Sequence, residues 1–249
     1  MSVYRFYNKY GWKKNNKFSN DANLFEDLRK YSYEYVRNCR LRVLKFIPKK
    51  GKKILDFASG PIQYKEYLKY SKNFDKRYCV DFSKSAIKEA KNILGSKGKY
   101  FCDDFLKLKF NENYFDCSLS MHTIYHINKN DQKKVVKKLL KVTKKGKPVI
   151  IVYSNPNTLI NKLTSFLKRK KKMKLYFFCH NIKWWYQFKN IADVKIYPWR
   201  SFSSQHQKIL YPDNKLGSLM LRFTFKLENL FPDFFAKNFQ YPIIVLTKH

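Results

Sequence analysis

Two periods organise the apolar positions of this chain. Ile54-Leu55-Asp56-Phe57 and Arg77-Tyr78-Cys79-Val80-Asp81 are short apolar runs, each closed by polar turn residues, and they predict strands. The first runs into a tight Ala58-Ser59-Gly60-Pro61 turn and then a helical spacing through Tyr64, Tyr67 and Leu68. The second is followed by Ser83, a natural N-cap, and a helix from Ser85 to Leu94. Together they complete a βαβ unit. Helical spacing recurs in three other places. Leu24, Leu28, Tyr31, Tyr35, Val36 and Leu41 predict a helix over 21–47. Leu159, Ile160, Leu163, Phe166 and Leu167 predict an amphipathic helix that ends on the basic run Lys168 to Lys172. Leu216, Leu219, Met220, Phe223, Leu227 and Leu230 form the third stripe. Val194 to Tyr197 and Tyr241 to Leu246 read as the last two strands.

A βαβ unit binds its ligand beyond the carboxyl ends of the strands, where an acid roughly 20 residues past the first turn accepts hydrogen bonds from ribose hydroxyls. Asp81, 25 residues after Asp56 (81 minus 56), fits that position. The turn itself argues against a dinucleotide. A pyrophosphate needs the G-x-G-x-x-G backbone, and here only Gly60 is present, with Ala58, Pro61 and Ile62 around it. A cofactor without phosphates asks less of the loop.

Ile54 to Ile62 resembles motif I of the class I S-adenosylmethionine-dependent methyltransferases (methyltransferase type 11-like), hhDhGxGxG, with Ala58 and Ile62 in place of the outer glycines and Gly60 keeping the central one. The resemblance continues in order over about residues 50 to 155. Tyr100 to Phe105 is similar to the family's third strand, Tyr114 to His122 to the fourth and Thr123 to Ile127 to the segment facing the donor methyl. A helix from Asp131 to Val142 follows, then a Lys144-Lys145-Gly146-Lys147 turn and a fifth strand from Pro148 to Tyr153. The resemblance implies a Rossmann-like, doubly wound α/β fold. Its sheet would have seven mostly parallel strands with an antiparallel last strand, helices on both faces and helical insertions after strands 5 and 6. It implies S-adenosylmethionine as cofactor, bound through Asp56, Ala58, Gly60, Asp81, Phe82, Asp104, Phe105 and Ser120. Asp104 would face the adenine amino group and Phe105 the ring. His122, His126 and Tyr125 fall in the methyl-transfer region, the histidines as candidate bases and the tyrosine as a shaping residue.

On this reading residues 1–50 are an N-terminal arm and capping helix, and 51–249 the methyltransferase domain. The cofactor-binding core is 51–153, the insertions are 154–181 and 202–240, and the last strand is 241–247. The arm's Tyr4, Tyr7, Tyr10 and Trp12 either line a pocket or pack on the core. So apolar an insertion as 202–240 is expected to bury its stripe over the sheet end that holds the cofactor, as a lid or pocket wall.

Composition adds one ambiguity. The formal charge is +35. Lys outnumbers Arg 44 to 9, and Asn, Tyr, Phe and Ile are plentiful, a set that A/T-rich codons encode without any polyanionic partner. The five cysteines are widely spaced, with no C-x-x-C pair, and read as buried thiols of a reducing compartment. No metal site is expected, since His180, His206 and His249 show no ligand spacing with the other two histidines. The N-terminus lacks an uninterrupted apolar segment, so the expected location is the cytoplasm or the periphery of a membrane, with 159–172 as the contact.

The acceptor is narrowed by elimination. Amino-group methyltransferases of DNA bases carry an acidic or Asn-Pro-Pro-aromatic loop after the fourth strand, where this chain reads Ser120-Met121-His122-Thr123. The Pro-Cys nucleophile of cytosine C5 enzymes is absent as well. The favoured function is methyl transfer to oxygen or nitrogen of a small-molecule, lipid or saccharide acceptor. The alternatives are an RNA methyltransferase using its basic surface, and a catalytically inactive methyltransferase-like interaction protein.

Overall fold

A computed structural model describes residues 2–15, 17–163 and 175–249. Seven strands form one sheet: β1 (Gly51–Phe57), β2 (Phe74–Val80), β3 (Gly98–Phe101), β4 (Cys117–Met121), β5 (Pro148–Val152), β6 (Ala192–Arg200) and β7 (Tyr241–Lys248). Their order is β3-β2-β1-β4-β5-β7-β6, with β7 antiparallel to both of its neighbours and the other pairs parallel. The chain winds outward from β1 in one direction and from β4 in the other, so the β1–β4 boundary is the switch point of the sheet. Ligand crevices of open α/β sheets lie there.

The central stretches of the inner strands are mainly apolar because both faces of the sheet are covered. Leu55, Val149 and Ile151 face one core with Val136, Leu140 and Trp185. Their neighbours Ile54, Ile150 and Val152 face the other with Val36, Cys39 and Trp199. This alternation is the two-residue period of a strand.

The helices are α1 (Val3–Phe6), α2 (Asn20–Phe25), α3 (Tyr33–Arg42), α4 (Lys65–Leu68), α5 (Lys84–Leu94), α6 (Lys129–Val142), α7 (Leu159–Leu163), α8 (Ser204–Leu210), α9 (Lys215–Leu230) and α10 (Pro232–Asn238). Ser83 caps α5, its side chain accepting from Ala86 N. Among the described residues, no helix is long and apolar enough to cross a membrane. Phe166, Leu167 and the basic run Lys168 to Lys172 lie outside the described residues.

Three expectations change. The single helix over 21–47 is divided into α2, a short 3-10 turn and α3. Arg29 takes an extended ψ of 147°, because its guanidinium forks onto the Asp27 carboxylate and donates onward to the carbonyls of Gln207 and Tyr211. The third strand stops at Phe101, leaving Asp104 on an exposed turn. The apolar stripe of α9 does not bury itself over the cofactor end of the sheet. Leu216, Leu219, Met220, Phe223 and Leu230 are exposed, and the buried positions are Gly217, Leu221, Thr224 and Glu228.

Polar contacts set that orientation. Glu228 is fully buried and accepts from Tyr35 Oη (2.6 Å), Arg42 Nη1 (2.8 Å), Ser201 N (3.0 Å) and Ser201 Oγ (2.6 Å). Gly217 packs so closely that a Cβ there would stand 1.8 Å from the Pro212 carbonyl oxygen. A buried carboxylate stripped of these partners would cost several kcal/mol. Leaving the apolar side chains in water forgoes about 1.5–3 kcal/mol apiece, a cost spread along the helix rather than concentrated at one site.

Candidate functional site

The crevice begins at the turn after β1. Ala58, Gly60 and Ile62 all take left-handed backbone angles, with φ of 55°, 57° and 55°. For alanine and isoleucine this conformation costs roughly 1–2 kcal/mol each. The turn thus keeps the backbone path of a glycine-rich loop without its glycines. Asp81, at the end of β2, holds that path: its Oδ2 accepts from Gly60 N at 2.9 Å and its Oδ1 from Ser83 N at 2.8 Å. Burial pushes the carboxyl up to about 6, against the pull of those two N–H donors. Each carboxylate oxygen carries two lone pairs. Among the described residues one on each is used, and one on each remains for a diol.

The N-terminal arm roofs this turn. The Trp12 ring carbons lie 3.2 Å from where a Gly60 Cβ would stand, so any larger residue there would press on the indole. Tyr7 lies 4.9 Å from the Trp12 ring and 6.4 Å from Phe82. Ser83 Oγ donates to the Tyr7 carbonyl, and Tyr7 Oη donates to Asp21 Oδ1 at 3.1 Å. Burial pushes the Asp21 carboxyl up to about 7, with Glu26 adding to the rise and the Tyr7 hydroxyl opposing it. Tyr4 and Tyr10 are more exposed; the Tyr4 ring lies 5.5 Å from Phe82 and the Tyr10 ring 5.5 Å from Phe6.

The second half of the crevice is the end of β4. Ser120 is fully buried, and its Oγ has no hydrogen-bond partner among the described residues. His122 follows with φ 58°, a strained turn that swings its ring against Trp199 (4.4 Å between centroids) and Tyr241 (5.2 Å). Its Nδ1 is 3.1 Å from Tyr125 Oη, and its Nε2 is buried without a partner among the described residues. Burial, then the positive charge of Arg200, holds the imidazole well below its ordinary pKa, so it is neutral at pH 7. Arg200 and Arg40, both buried, share the Glu26 carboxylate at 3.0 and 3.6 Å. Glu26, beside α2, thereby ties the arm to the crevice.

Of the residues expected to serve a cofactor, Ala58, Gly60, Asp81, Phe82 and Ser120 lie along the two strand ends. Asp56 is spent elsewhere. It is buried against the guanidinium of Arg77 on the neighbouring strand, whose Nε and Nη2 both donate to Oδ2. Phe105 is likewise in the core, 4.6 Å from Phe57, so its ring is not free to lie on a ligand. Asp104 is exposed and accepts from Leu106 N at 2.9 Å. His126 Nδ1 stands 2.9 Å from the Tyr176 carbonyl, to which it donates, and burial lowers its pKa. Tyr125 is buried, and its hydroxyl stays protonated because burial raises its pKa.

Sequence reasoning did not single out Arg40, Arg200, Glu26 or Tyr64. Tyr64 is held 3.4 Å beneath the Arg40 guanidinium, with a buried hydroxyl lacking a partner among the described residues. Arg40, Arg200 and Glu26 come from segments with no motif of their own, and Tyr64, which follows the motif turn, reads in sequence only as a position of the helical spacing. Among the described residues, no three His, Cys, Asp or Glu side chains stand close enough to hold a metal ion.

Residues 55–151 match a family model described as a methyltransferase domain. Among curated proteins none matches by sequence. Solved structures share the fold at low identity. A SAM-dependent methyltransferase from Archaeoglobus fulgidus has a TM-score of 0.55 at 16% identity, over 86% of this chain and 94% of that one. A phosphoethanolamine N-methyltransferase of Haemonchus contortus, in complex with phosphomonomethylethanolamine and S-adenosylhomocysteine, has a TM-score of 0.55 at 17% identity. It is matched over 88% of this chain and 56% of its own length. The [4+2]-cyclase SpnF has the same TM-score of 0.55 at 13% identity, over 96% and 87%. The last shows that this fold alone does not name a reaction.

Proposed function

We propose that this chain, whose residues 55–151 match a methyltransferase-domain family model, is a class I S-adenosylmethionine-dependent methyltransferase that transfers a methyl group to oxygen or nitrogen of a small-molecule, lipid or saccharide acceptor enclosed at the β1–β4 switch point. The observation that carries the reading is the pair of strand ends. Among the described residues, Asp81 keeps a free lone pair on each oxygen at one, and His122 keeps a buried, unpartnered Nε2 at the other.

The residues present fit S-adenosylmethionine. Asp81 would accept from the ribose hydroxyls, and Ser120 Oγ and Trp12 Nε1, without partners among the described residues, are buried polar atoms that a bound ligand would satisfy. The left-handed turn at Ala58 to Ile62 supports an intact loop over a degenerate one, since its shape survives the loss of two glycines. When bound, the cofactor supplies a methyl on a sulfonium, already an excellent leaving group. What the protein adds is position and a base. With Nδ1–H donated to Tyr125 Oη, His122 Nε2 keeps its lone pair and takes the proton from the acceptor. The depressed pKa keeps that lone pair available at neutral pH. Burial of Nε2 beside Trp199 and Tyr241 supports an acceptor small enough to be enclosed.

The test is transfer of labelled methyl from S-adenosylmethionine to a panel of small hydroxyl and amine acceptors. Asp81→Ala should weaken cofactor binding on the order of 100-fold through two lost hydrogen bonds. His122→Gln should lower kcat by about 10² or more with cofactor affinity unchanged. Full turnover in His122→Gln would remove the base assignment.

A further inference from the structure

Helix α9 is amphipathic the wrong way round for a core helix. At 3.6 residues per turn, Leu216, Leu219, Met220, Phe223 and Leu230 share one stripe. Gly217, Leu221, Thr224 and Glu228 share another, about a third of a turn away. The second stripe is the buried one, fixed by Glu228 and Gly217. The first stands in water: Leu219 is 62%, Phe223 59% and Leu230 68% exposed. The apolar surface continues past the helix end into Phe231 and Phe234, both at least half exposed. Scattered surface leucines need no explanation, but a continuous row on one helix is a contact surface.

We propose that this face of α9 docks the protein on an anionic lipid bilayer, with the helix lying in the plane of the interface. Charge selects the occupant. Lys215 and Lys226 lie along one edge of the stripe, where their stems can follow the apolar surface and their ammonium groups reach lipid phosphates. The exposed lysines of α8–α10 are Lys208, Lys215, Lys226 and Lys237, against exposed acids Asp213 and Asp233. Glu228 is already neutralised by Arg42. A second copy of this chain would bring another +35 against the same lysines, whereas a surface of anionic headgroups attracts them. Leucine and phenylalanine on one face with lysine beside it is the pattern of a helix that lies on a membrane. The inference does not depend on the methyl-transfer reading.

The test is sedimentation of the purified chain with vesicles of phosphatidylcholine alone and with about 30 mol% phosphatidylserine. The double variant Leu219→Asp/Phe223→Asp is compared, with its fold checked by circular dichroism. The wild type should bind the anionic vesicles, and the variant should bind them at least roughly tenfold more weakly, having lost two large apolar insertions. Phe223→Trp, which needs no charge change, should show indole emission from the new side chain quenched by brominated acyl chains. Three results would overturn the proposal: no binding of the wild type, binding unchanged in the double variant, or sedimentation velocity showing a dimer that the double variant dissolves. Emission of vesicle-bound Phe223→Trp that brominated chains quench no more than emission of the bound wild type would do the same.

Discussion

The turn after β1 and the helix α9 both place residues where their chemical type would not put them, and for opposite reasons. At the turn, Ala58 and Ile62 accept left-handed angles because the sheet delivers the chain there and Asp81 binds Gly60 N. Tertiary contacts impose a conformation on residues that resist it. In α9, five large apolar side chains accept water because one buried carboxylate and one close backbone approach decide which face turns inward. A strong local polar requirement outweighs a larger but diffuse apolar one. Counting apolar residues therefore locates a helix without orienting it.

That contrast can be broken most directly at Glu228. Glu228→Ala removes the carboxylate that Arg42, Tyr35 and Ser201 share and strands a buried guanidinium. It should destabilise the protein by about 3–5 kcal/mol in urea unfolding. A loss below about 1 kcal/mol would mean that apolar packing, not this network, holds α9. The two faces of the helix separate next. Leu221→Ala, at a buried position, should cost about 2–4 kcal/mol, while Phe223→Ala should stay within roughly 0.5 kcal/mol in the absence of lipid. Equal costs would contradict the outward orientation.

The smallest effect tests the turn, and its sign is what matters. If Ala58 is held at positive φ, Ala58→Gly should stabilise the protein by up to about 1 kcal/mol, relief of strain outweighing the extra freedom of glycine in the unfolded chain. At an ordinary backbone angle the same change would destabilise by roughly 0.5–1 kcal/mol.

What can be read from sequence follows the same division. The βαβ unit, the positions of Asp81 and Gly60 and the succession of strands are written in local period and turn chemistry, and the structure places them as expected. Asp56 escapes a local reading because its partner, Arg77, lies 21 residues on and meets it only through strand pairing. Phe105 escapes it because the third strand ends four residues earlier, so the ring turns to Phe57. The roof of Tyr7 and Trp12 arises from long-range contacts of the arm with the turns after β1 and β2, and the Arg40, Arg200 and Glu26 cluster from its contacts with β6, for which no sequence period exists.

The central claim, that the crevice between Asp81 and His122 receives S-adenosylmethionine, is tested most directly by calorimetric titration of that compound into the chain from pH 5 to pH 8. Folding raises the Asp81 pKa to about 6, so the carboxylate that accepts from ribose is fully ionised only above that value. The account predicts saturable one-site binding at neutral pH that weakens roughly tenfold by pH 5 as Asp81 takes up a proton. Absence of binding at millimolar ligand, or an affinity indifferent to pH across this window, would contradict it.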